Sequence, residues 1–214
     1  MWLSNKLYGE KVSLKISAKM DDSSKKNKSE RETALTKLDK DQTALLVIDV
    51  QDKLIQAIDK KEIILSSIKK LIAASNILKF NKFFTEQNPM RLGSTINLLV
   101  ENESIHPYSK MDFSCTACDE LMRTLENKNI KNLVLCGIES HICVQQTAID
   151  LIRRGYIVFI VIDAIGSRKA IDNDAAIRRL EMSGAIATTS ESIIFEWCRT
   201  AERKEFKAIS SLIK

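Results

Sequence analysis

Nearly continuous apolar runs rich in Val and Ile recur along the chain from residue 44 onward. The three longest are ALLVIDV at 44–50, NLVLCGI at 132–138 and YIVFIVIDAI at 156–165, and shorter candidates are KFFTEQ at 82–87 and AIATTS at 185–190. A strand with one solvated face alternates apolar and polar residues, whereas a strand buried on both faces of a parallel sheet does not. The pattern therefore predicts buried parallel strands.

Amphipathic helical spacing separates these runs. Apolar side chains recur at i, i+4, i+7 and i+8 from Ile64 and again from Val144, where Gly155 is placed to end the helix. Weaker patterns predict further helices around Leu121 and Leu125, Ile177 and Leu180, Trp197, and Phe206, Ile209 and Ile213. Strands that alternate with helices predict an α/β fold, a three-layer α/β/α sandwich around a central, mostly parallel sheet.

The first 40 residues differ from the rest in composition. They carry ten Lys or Arg against six Asp or Glu, and the segment DDSSKKNKSERETA at 21–34 has almost nothing that could enter a core. We therefore predict a disordered or weakly structured basic leader at 1–40 and a single domain at 41–214. Residues 1–20 lack the apolar block of a secretory signal, and organelle targeting by these residues is a less favoured alternative to a plain disordered extension.

Composition also excludes some classes of partner for the domain. Residues 41–214 carry 23 Lys or Arg against 22 Asp or Glu, so they lack the positive surplus of a nucleic-acid groove. The longest uninterrupted apolar stretch is seven residues, at 156–162, too short for a membrane span. Five Cys at irregular spacing are typical of a reducing compartment, which predicts a cytoplasmic protein.

Open parallel sheets bind ligands at the carboxyl ends of their strands, and three reactive side chains, Asp49, Cys143 and Lys110, are candidates for this edge. Asp49 interrupts the apolar run VIDVQ, and it is either a structural carboxylate that caps a loop or a general base. Cys143 follows NLVLCGI through the turn ESHI and opens the next helix, where the helix dipole favours the nucleophilic thiolate. The alternative for Cys143 is a small core residue, which is how we interpret Cys136 inside the strand.

Lys110 lies in the segment HPYSKMDFSC. A single Lys is ordinarily a solvated surface charge, and it becomes a site candidate only if it meets the other two groups. There its charge would favour both a carboxylate and a thiolate.

Five segments taken together carry a resemblance to a known family. VIDVQ, TEQNPMRLG, YSKMDFSC, LCGIESHICVQQTAIDL and TTSESIIFE, in this order, resemble the isochorismatase-like hydrolase superfamily, in particular its cysteine hydrolase branch of isochorismatase-domain proteins. The similarity spans roughly residues 41–214. It implies a Rossmann-like parallel sheet flanked by helices and a homo-oligomer.

The resemblance also implies roles for particular residues. The Asp–Lys–Cys triad of the family falls on Asp49, Lys110 and Cys143. A non-proline cis peptide of the family maps to the bond between Ile138 and Glu139, and the backbone amides of Glu139 and Cys143 map to its oxyanion donors. Gln51, Gln87 and His141 are candidate substrate-binding residues.

One departure from the family bears on cofactors. The nicotinamidase branch binds a metal through an Asp-x-His pattern and a further His, but the corresponding stretch here, FFTEQNPMRLG, has no His. We therefore predict no catalytic metal and no cofactor. Cys115 and Cys118 form a lone CxxC that we interpret as two incidental thiols, since zinc would need a second pair of ligands.

The sequence thus predicts a metal-independent cysteine hydrolase that acts on a small molecule, at a carbon–nitrogen bond such as an amide, through a thioester on Cys143. Two alternatives stay open. One is vinyl-ether hydrolysis of the isochorismatase type, which needs an acid at Asp49 but no thiol. The other is a non-catalytic oligomeric scaffold or binding protein that keeps the fold. The substrate and the number of subunits are not specified by the sequence.

Overall fold

The computed structural model describes residues 38–101 and 105–214 of the chain. Apart from its last three residues, the leader predicted at 1–40 lies outside the described residues. The disorder, the targeting role and the boundary proposed for it therefore stay predictions.

A six-stranded sheet in the order β3-β2-β1-β4-β5-β6 forms the centre of the described domain. The strands are β1 (Thr43–Ile48), β2 (Asn81–Gln87), β3 (Tyr108–Lys110), β4 (Asn132–Ile138), β5 (Ile157–Gly166) and β6 (Ile186–Thr188). Every neighbouring pair is parallel. The predicted parallel sheet is confirmed, with one extra strand, β3, which is too short to produce an apolar run.

Helices connect the strands. In chain order they are α1 (Asp52–Ile55), α2 (Lys61–Leu78), α3 (Pro89–Leu92), α4 (Asn97–Val100), α5 (Asp119–Asn127), α6 (Gln145–Arg153), α7 (Ala170–Met182), α8 (Ser190–Cys198) and α9 (Phe206–Ile213). A 3₁₀ turn at Cys115–Ala117 precedes α5, and a wider π-type turn at Ser140–Val144 precedes α6. The long helices agree with the predicted spacing, and the three four-residue helices α1, α3 and α4 were not predicted.

Two hydrophobic clusters lie on opposite faces of the sheet. Leu45 and Val47 of β1 pack in one cluster with α2, α8 and α9, while Leu46 and Ile48 pack in the other with α5, α6 and α7. Every residue of β1 is buried, which explains why this strand has no polar alternation. Burial of apolar surface on both faces is the main source of stability of the layers, and the arrangement confirms the three-layer sandwich.

The strand order reverses direction between β1 and β4. After β1 the chain adds β2 and β3 on one side, and it then crosses over to place β4, β5 and β6 on the other. In open α/β sheets such a switch point opens a crevice at the carboxyl ends of the two central strands. The residues that follow β1 and β4 are therefore the ones that the fold positions for ligand contact.

Gly137 near the end of β4 is required by its approach to β1. Its φ is +116°, and an added Cβ would lie 2.1 Å from the backbone oxygen of Ile48 and 2.6 Å from its nitrogen. Neither backbone atom can move without shifting β1. Gly155, with φ +89°, has no atom within 4 Å of such a Cβ, so it offers a matched control for the conformational cost alone.

We predict that Gly137→Ala lowers the free energy of unfolding by about 3 kcal/mol or more, because left-handed strain and a backbone clash add together. Gly155→Ala should cost about 1 kcal/mol, from strain alone. Urea denaturation of both variants measures the difference. Equal losses would contradict the close approach of β4 to β1.

Candidate active site

Asp49 lies immediately after β1 and is fully buried. The predicted strand at 44–50 ends two residues early because Asp49 has a φ of +52°, a left-handed conformation that Asp tolerates better than most residues. Its amide donates to the carbonyl oxygen of Thr85 at 3.1 Å. Its carboxylate accepts at Oδ1 from Thr85 Oγ1 at 2.7 Å and at Oδ2 from Lys110 Nζ at 2.6 Å.

Lys110 is the last residue of β3, and its side chain is 2% exposed. Besides Asp49, its ammonium group donates to Gln87 Oε1 at 2.9 Å and to the carbonyl oxygens of Asp112 and Phe113 at 3.2 and 3.1 Å. Burial alone would lower the pKa of Lys110, but attraction to Cys115 and Asp49 outweighs it and raises the pKa above 10.5. Lys110 is therefore a buried, protonated partner of Asp49 and not a surface charge.

Cys143 lies in the π-type turn after β4 and is 5% exposed. Burial, followed by the charge of Asp49 and a side-chain hydrogen bond with it, raises the pKa of the Cys143 thiol well above 9.0. The expectation that a helix N-terminus would favour the thiolate is thus wrong. Helix α6 begins only at Gln145, and desolvation together with a nearby carboxylate outweighs the dipole.

The fold brings together Asp49, Lys110 and Cys143 from three separate strand ends. Lys110 and Asp49 form an ion pair, and Asp49 also contacts the Cys143 thiol. β1 lies between β2 and β4, so the carboxylate sits between the ammonium side and the sulfur side of the site. An ammonium, a carboxylate and a thiol in this order can transfer a proton and supply a nucleophile.

The peptide bond between Ile138 and Glu139 is cis, at the place that the resemblance implied. The carbonyl oxygen of Glu139 accepts from the amides of Ile142 and Val144 at 3.0 and 3.2 Å. The Glu139 side chain is held by Arg168, whose backbone nitrogen and Nε donate to Oε2 at 3.1 and 3.0 Å. These contacts fix the backbone between β4 and Cys143.

Gln87 contacts Lys110, and Gln51 contacts Gln87. The side-chain nitrogen of Gln51 donates to the carbonyl oxygens of Gln87 and Gly93 at 3.0 and 2.6 Å. The side-chain oxygen of Gln51 accepts from the backbone nitrogen of Gln87 at 2.8 Å. Gln87 Nε2 donates to the Met111 carbonyl at 2.7 Å, while its oxygen receives Lys110. Both side chains therefore support the lysine, and a role in binding substrate stays a prediction for each.

His141 is partly exposed and hydrogen-bonds through Nδ1 to Ser167 Oγ at 2.8 Å. This hydrogen bond joins His141 to the residue that follows β5, and a contact of His141 with substrate stays a prediction. Over residues 38–101 and 105–214, no group of three or more His, Cys, Asp or Glu side chains is arranged to hold a metal ion.

Two further residues of the site were not identified from the sequence. Thr85 binds Asp49, and Cys115, which is 1% exposed, lies with its Sγ 3.6 Å from Thr85 Oγ1. Burial and the charge of Asp49 raise the pKa of the Cys115 thiol to about 11. The sequence predicts Cys115 as an incidental thiol, because only the folded course of the segment between β3 and α5 brings it to Thr85, beside Asp49.

One protein-family model matches most of the domain. The isochorismatase domain model covers residues 43–192. Isochorismatase family protein 1B of Dictyostelium discoideum is 35% identical over 186 residues, which are 85% of this chain and 90% of that protein. Isochorismatase domain-containing protein 2 of Bos taurus is 34% identical over 171 residues, which are 79% of this chain and 82% of that protein.

Solved structures agree with these relatives. The MAR1 ribonuclease from Caenorhabditis elegans superposes with a TM-score of 0.78 at 35% identity, covering 83% of this chain and 92% of that one. A cysteine hydrolase from Pseudomonas syringae pv. phaseolicola 1448A has a TM-score of 0.69 at 17% identity, covering 76% and 95%, and shares the fold. On its sequence and its fold together, the chain belongs to the isochorismatase-domain family.

Proposed function

We propose that the protein is a metal-independent cysteine hydrolase that cleaves a carbon–nitrogen bond of a small molecule. The observation that carries the proposal is the convergence of one buried ion pair and one thiol, in which Asp49 contacts both Lys110 and Cys143. Among the buried thiols of Cys115, Cys136 and Cys143, only Cys143 has a hydrogen bond with a carboxylate.

The first step is attack by Cys143 on the carbonyl carbon of the substrate. As the carbon–sulfur bond forms, the thiol proton passes to Asp49, and the carbonyl electrons move to the oxygen. The raised pKa of Cys143 fits this order, because a thiol that is protonated at rest needs a base at the moment of attack. Asp49 is the carboxylate in contact with it.

The proton on Asp49 then moves to the leaving nitrogen as the carbon–nitrogen bond breaks, which leaves a thioester on Cys143. Water attacks the thioester with Asp49 again as the base, and the acid product and the free thiol form. Lys110 holds Asp49 through the 2.6 Å contact and balances its charge. The amides of Glu139 and Cys143 are the proposed oxyanion donors, in a segment that Arg168 fixes through Glu139.

A ribonuclease is a second candidate function. It is favoured by the name of the Caenorhabditis elegans relative, a MAR1 ribonuclease at 35% identity. Against it stands the near balance of charge in residues 41–214, with 23 Lys or Arg and 22 Asp or Glu, since RNA binding normally draws on clustered positive charge. The vinyl-ether alternative is disfavoured by Cys143, which that chemistry does not need.

We further propose a homo-oligomer, as the resemblance implies. Met111 and Phe113, on the segment whose backbone binds Lys110 and Gln87, are 69% and 52% exposed, and exposed apolar groups beside a site commonly mark contact surfaces.

Within residues 38–101 and 105–214, no helix has the length and apolar character of a membrane span. The cytoplasmic location stays a prediction.

Replacement of the nucleophile tests the proposal most directly. A screen of small amides, imides and nitriles should identify a substrate for the wild type, and Cys143→Ala should reduce its turnover by about 10³-fold or more. Cys118→Ala is the matched control, because Cys118 is more exposed and lies outside the triad. Full turnover in Cys143→Ala, measured by product formation, would refute the proposed nucleophile.

Replacement of the base separates two effects on the same thiol. Asp49→Asn removes a negative charge that raises the pKa of Cys143, so the thiol pKa should fall, as measured by thiolate absorbance with Cys143→Ala as the blank. Turnover should nevertheless fall by about 10²-fold or more, because the proton acceptor is lost. Faster turnover that follows the lower pKa would show that Asp49 is not the base.

The ribonuclease candidate is tested with single-stranded RNA. We expect no cleavage above that of the Cys143→Ala variant when both proteins are incubated with a labelled oligonucleotide. Cleavage by the wild type that Cys143→Ala abolishes would favour the ribonuclease and replace the amide proposal.

A further inference from the structure

Thr85 contacts Asp49 through both its backbone and its side chain. It lies opposite Ile48 in the pairing of β1 with β2, so its carbonyl oxygen receives the Asp49 amide at 3.1 Å. Its hydroxyl lies 2.7 Å from Asp49 Oδ1 on one side and 3.6 Å from Cys115 Sγ on the other. All of these groups are buried, and water therefore does not compete with them.

The number of hydrogen atoms fixes the direction of these contacts. A hydroxyl group has one hydrogen to donate, and an ionised carboxylate has none. Thr85 must therefore donate to Asp49, so Cys115 donates its S–H to the oxygen of Thr85. The raised pKa of Cys115, about 11, keeps that hydrogen in place at neutral pH.

Cys115 is itself anchored to the segment that carries the nucleophile. Its amide donates to Thr147 Oγ1 at 2.9 Å, and Thr147 lies four residues after Cys143, one helical turn along the same face. The chain of contacts from Thr147 through Cys115 and Thr85 thus ends on the oxygen of Asp49 that Lys110 does not hold.

We propose that Thr85 is a positioning residue that aims the Asp49 carboxylate at Cys143, and that Cys115 supports it by directing the hydroxyl hydrogen toward Asp49. The proposal rests on the proposed function, in which Asp49 is the base. Thr85 and Lys110 each hold one carboxylate oxygen, so the group cannot rotate away from the sulfur.

The titratable groups that face Asp49 come from three segments. Lys110 reaches it from β3, Cys115 from the 3₁₀ turn before α5, and Cys143 from the π-type turn before α6. Loss of the Thr85 hydroxyl leaves all three in place. A change in the ionisation of Asp49 in such a variant is therefore assigned to the hydroxyl.

Alkylation of Cys143 by iodoacetamide provides a test that needs no substrate. The rate is followed by peptide mass spectrometry across pH, and its low-pH limb reports the ionisation of Asp49. Thr85→Val, which keeps the shape of the side chain, should move the midpoint of this limb upward and lower the plateau rate by about tenfold. Thr85→Ser, which restores the hydroxyl, should return the midpoint to the wild-type value.

Cys115 offers a second pair of variants if Thr85→Val does not fold. Cys115→Ala removes the donor, so the Thr85 hydroxyl is no longer directed and the midpoint should move in the same direction by a smaller amount. Cys115→Ser keeps a donor and should give the wild-type midpoint. An unchanged midpoint in Thr85→Val would overturn the proposal. If Thr85→Val does not fold, an unchanged midpoint in Cys115→Ala would overturn it.

Asp49→Asn distinguishes this proposal from the proposed function. A low-pH limb that is present in the wild type and absent in Asp49→Asn supports Asp49 as the base. If that limb is unaffected by Thr85→Val, the positioning role alone is wrong. A wild type without an Asp49-dependent limb would overturn both the positioning role and the proposed base.

Discussion

The buried ion pair between Asp49 and Lys110 is the interaction on which the site depends. A charge removed from water is costly unless it is paired and fully hydrogen-bonded, and here each partner has additional contacts. Asp49 also accepts from Thr85, and Lys110 also donates to Gln87 and to two carbonyl oxygens. Satisfying both charges requires the carboxyl ends of β1, β2 and β3 to be in register. The ion pair therefore couples the chemistry of the site to the alignment of the sheet.

That pairing also determines the state of the sulfur. Cys143 is buried beside a carboxylate, and its burial and the charge of Asp49 both raise the pKa of its thiol. A thiolate held by a cation would react with any electrophile that reaches it, whereas this thiol becomes a nucleophile only when Asp49 takes its proton. We infer a nucleophile whose reactivity depends on the orientation of one carboxylate, which is why the contacts of Asp49 with Thr85 and Lys110 matter more than the position of Cys143 near a helix.

Much of this arrangement could be predicted from the sequence. The remainder depends on distances between side chains in the folded protein, which the spacing of residues along the chain does not give. The apolar runs predicted β1, β4 and β5, since a strand buried on both faces leaves a continuous signal, and the motifs indicated Asp49, Lys110 and Cys143. Strand β3 has three residues, too few for any pattern. Cys115 gave no signal because its position follows from an irregular segment. The thiolate expected at Cys143 was wrong because the sequence shows the helix that follows but not the burial or the carboxylate beside the sulfur.

Base and nucleophile are also linked through the backbone where β4 meets β1. Gly137 lets β4 approach Ile48, which directly precedes Asp49, while the residue after Gly137 begins the segment that leads to Cys143. A shift of either strand would thus change the distance between carboxylate and sulfur. Because the hydrogen-bonding groups of Asp49, Lys110, Gln51 and Gln87 are engaged within the protein, we expect substrate choice to depend on side chains outside this network. Met111 and Phe113 are two such groups, because their backbone carbonyls bind Gln87 and Lys110 while their side chains are exposed.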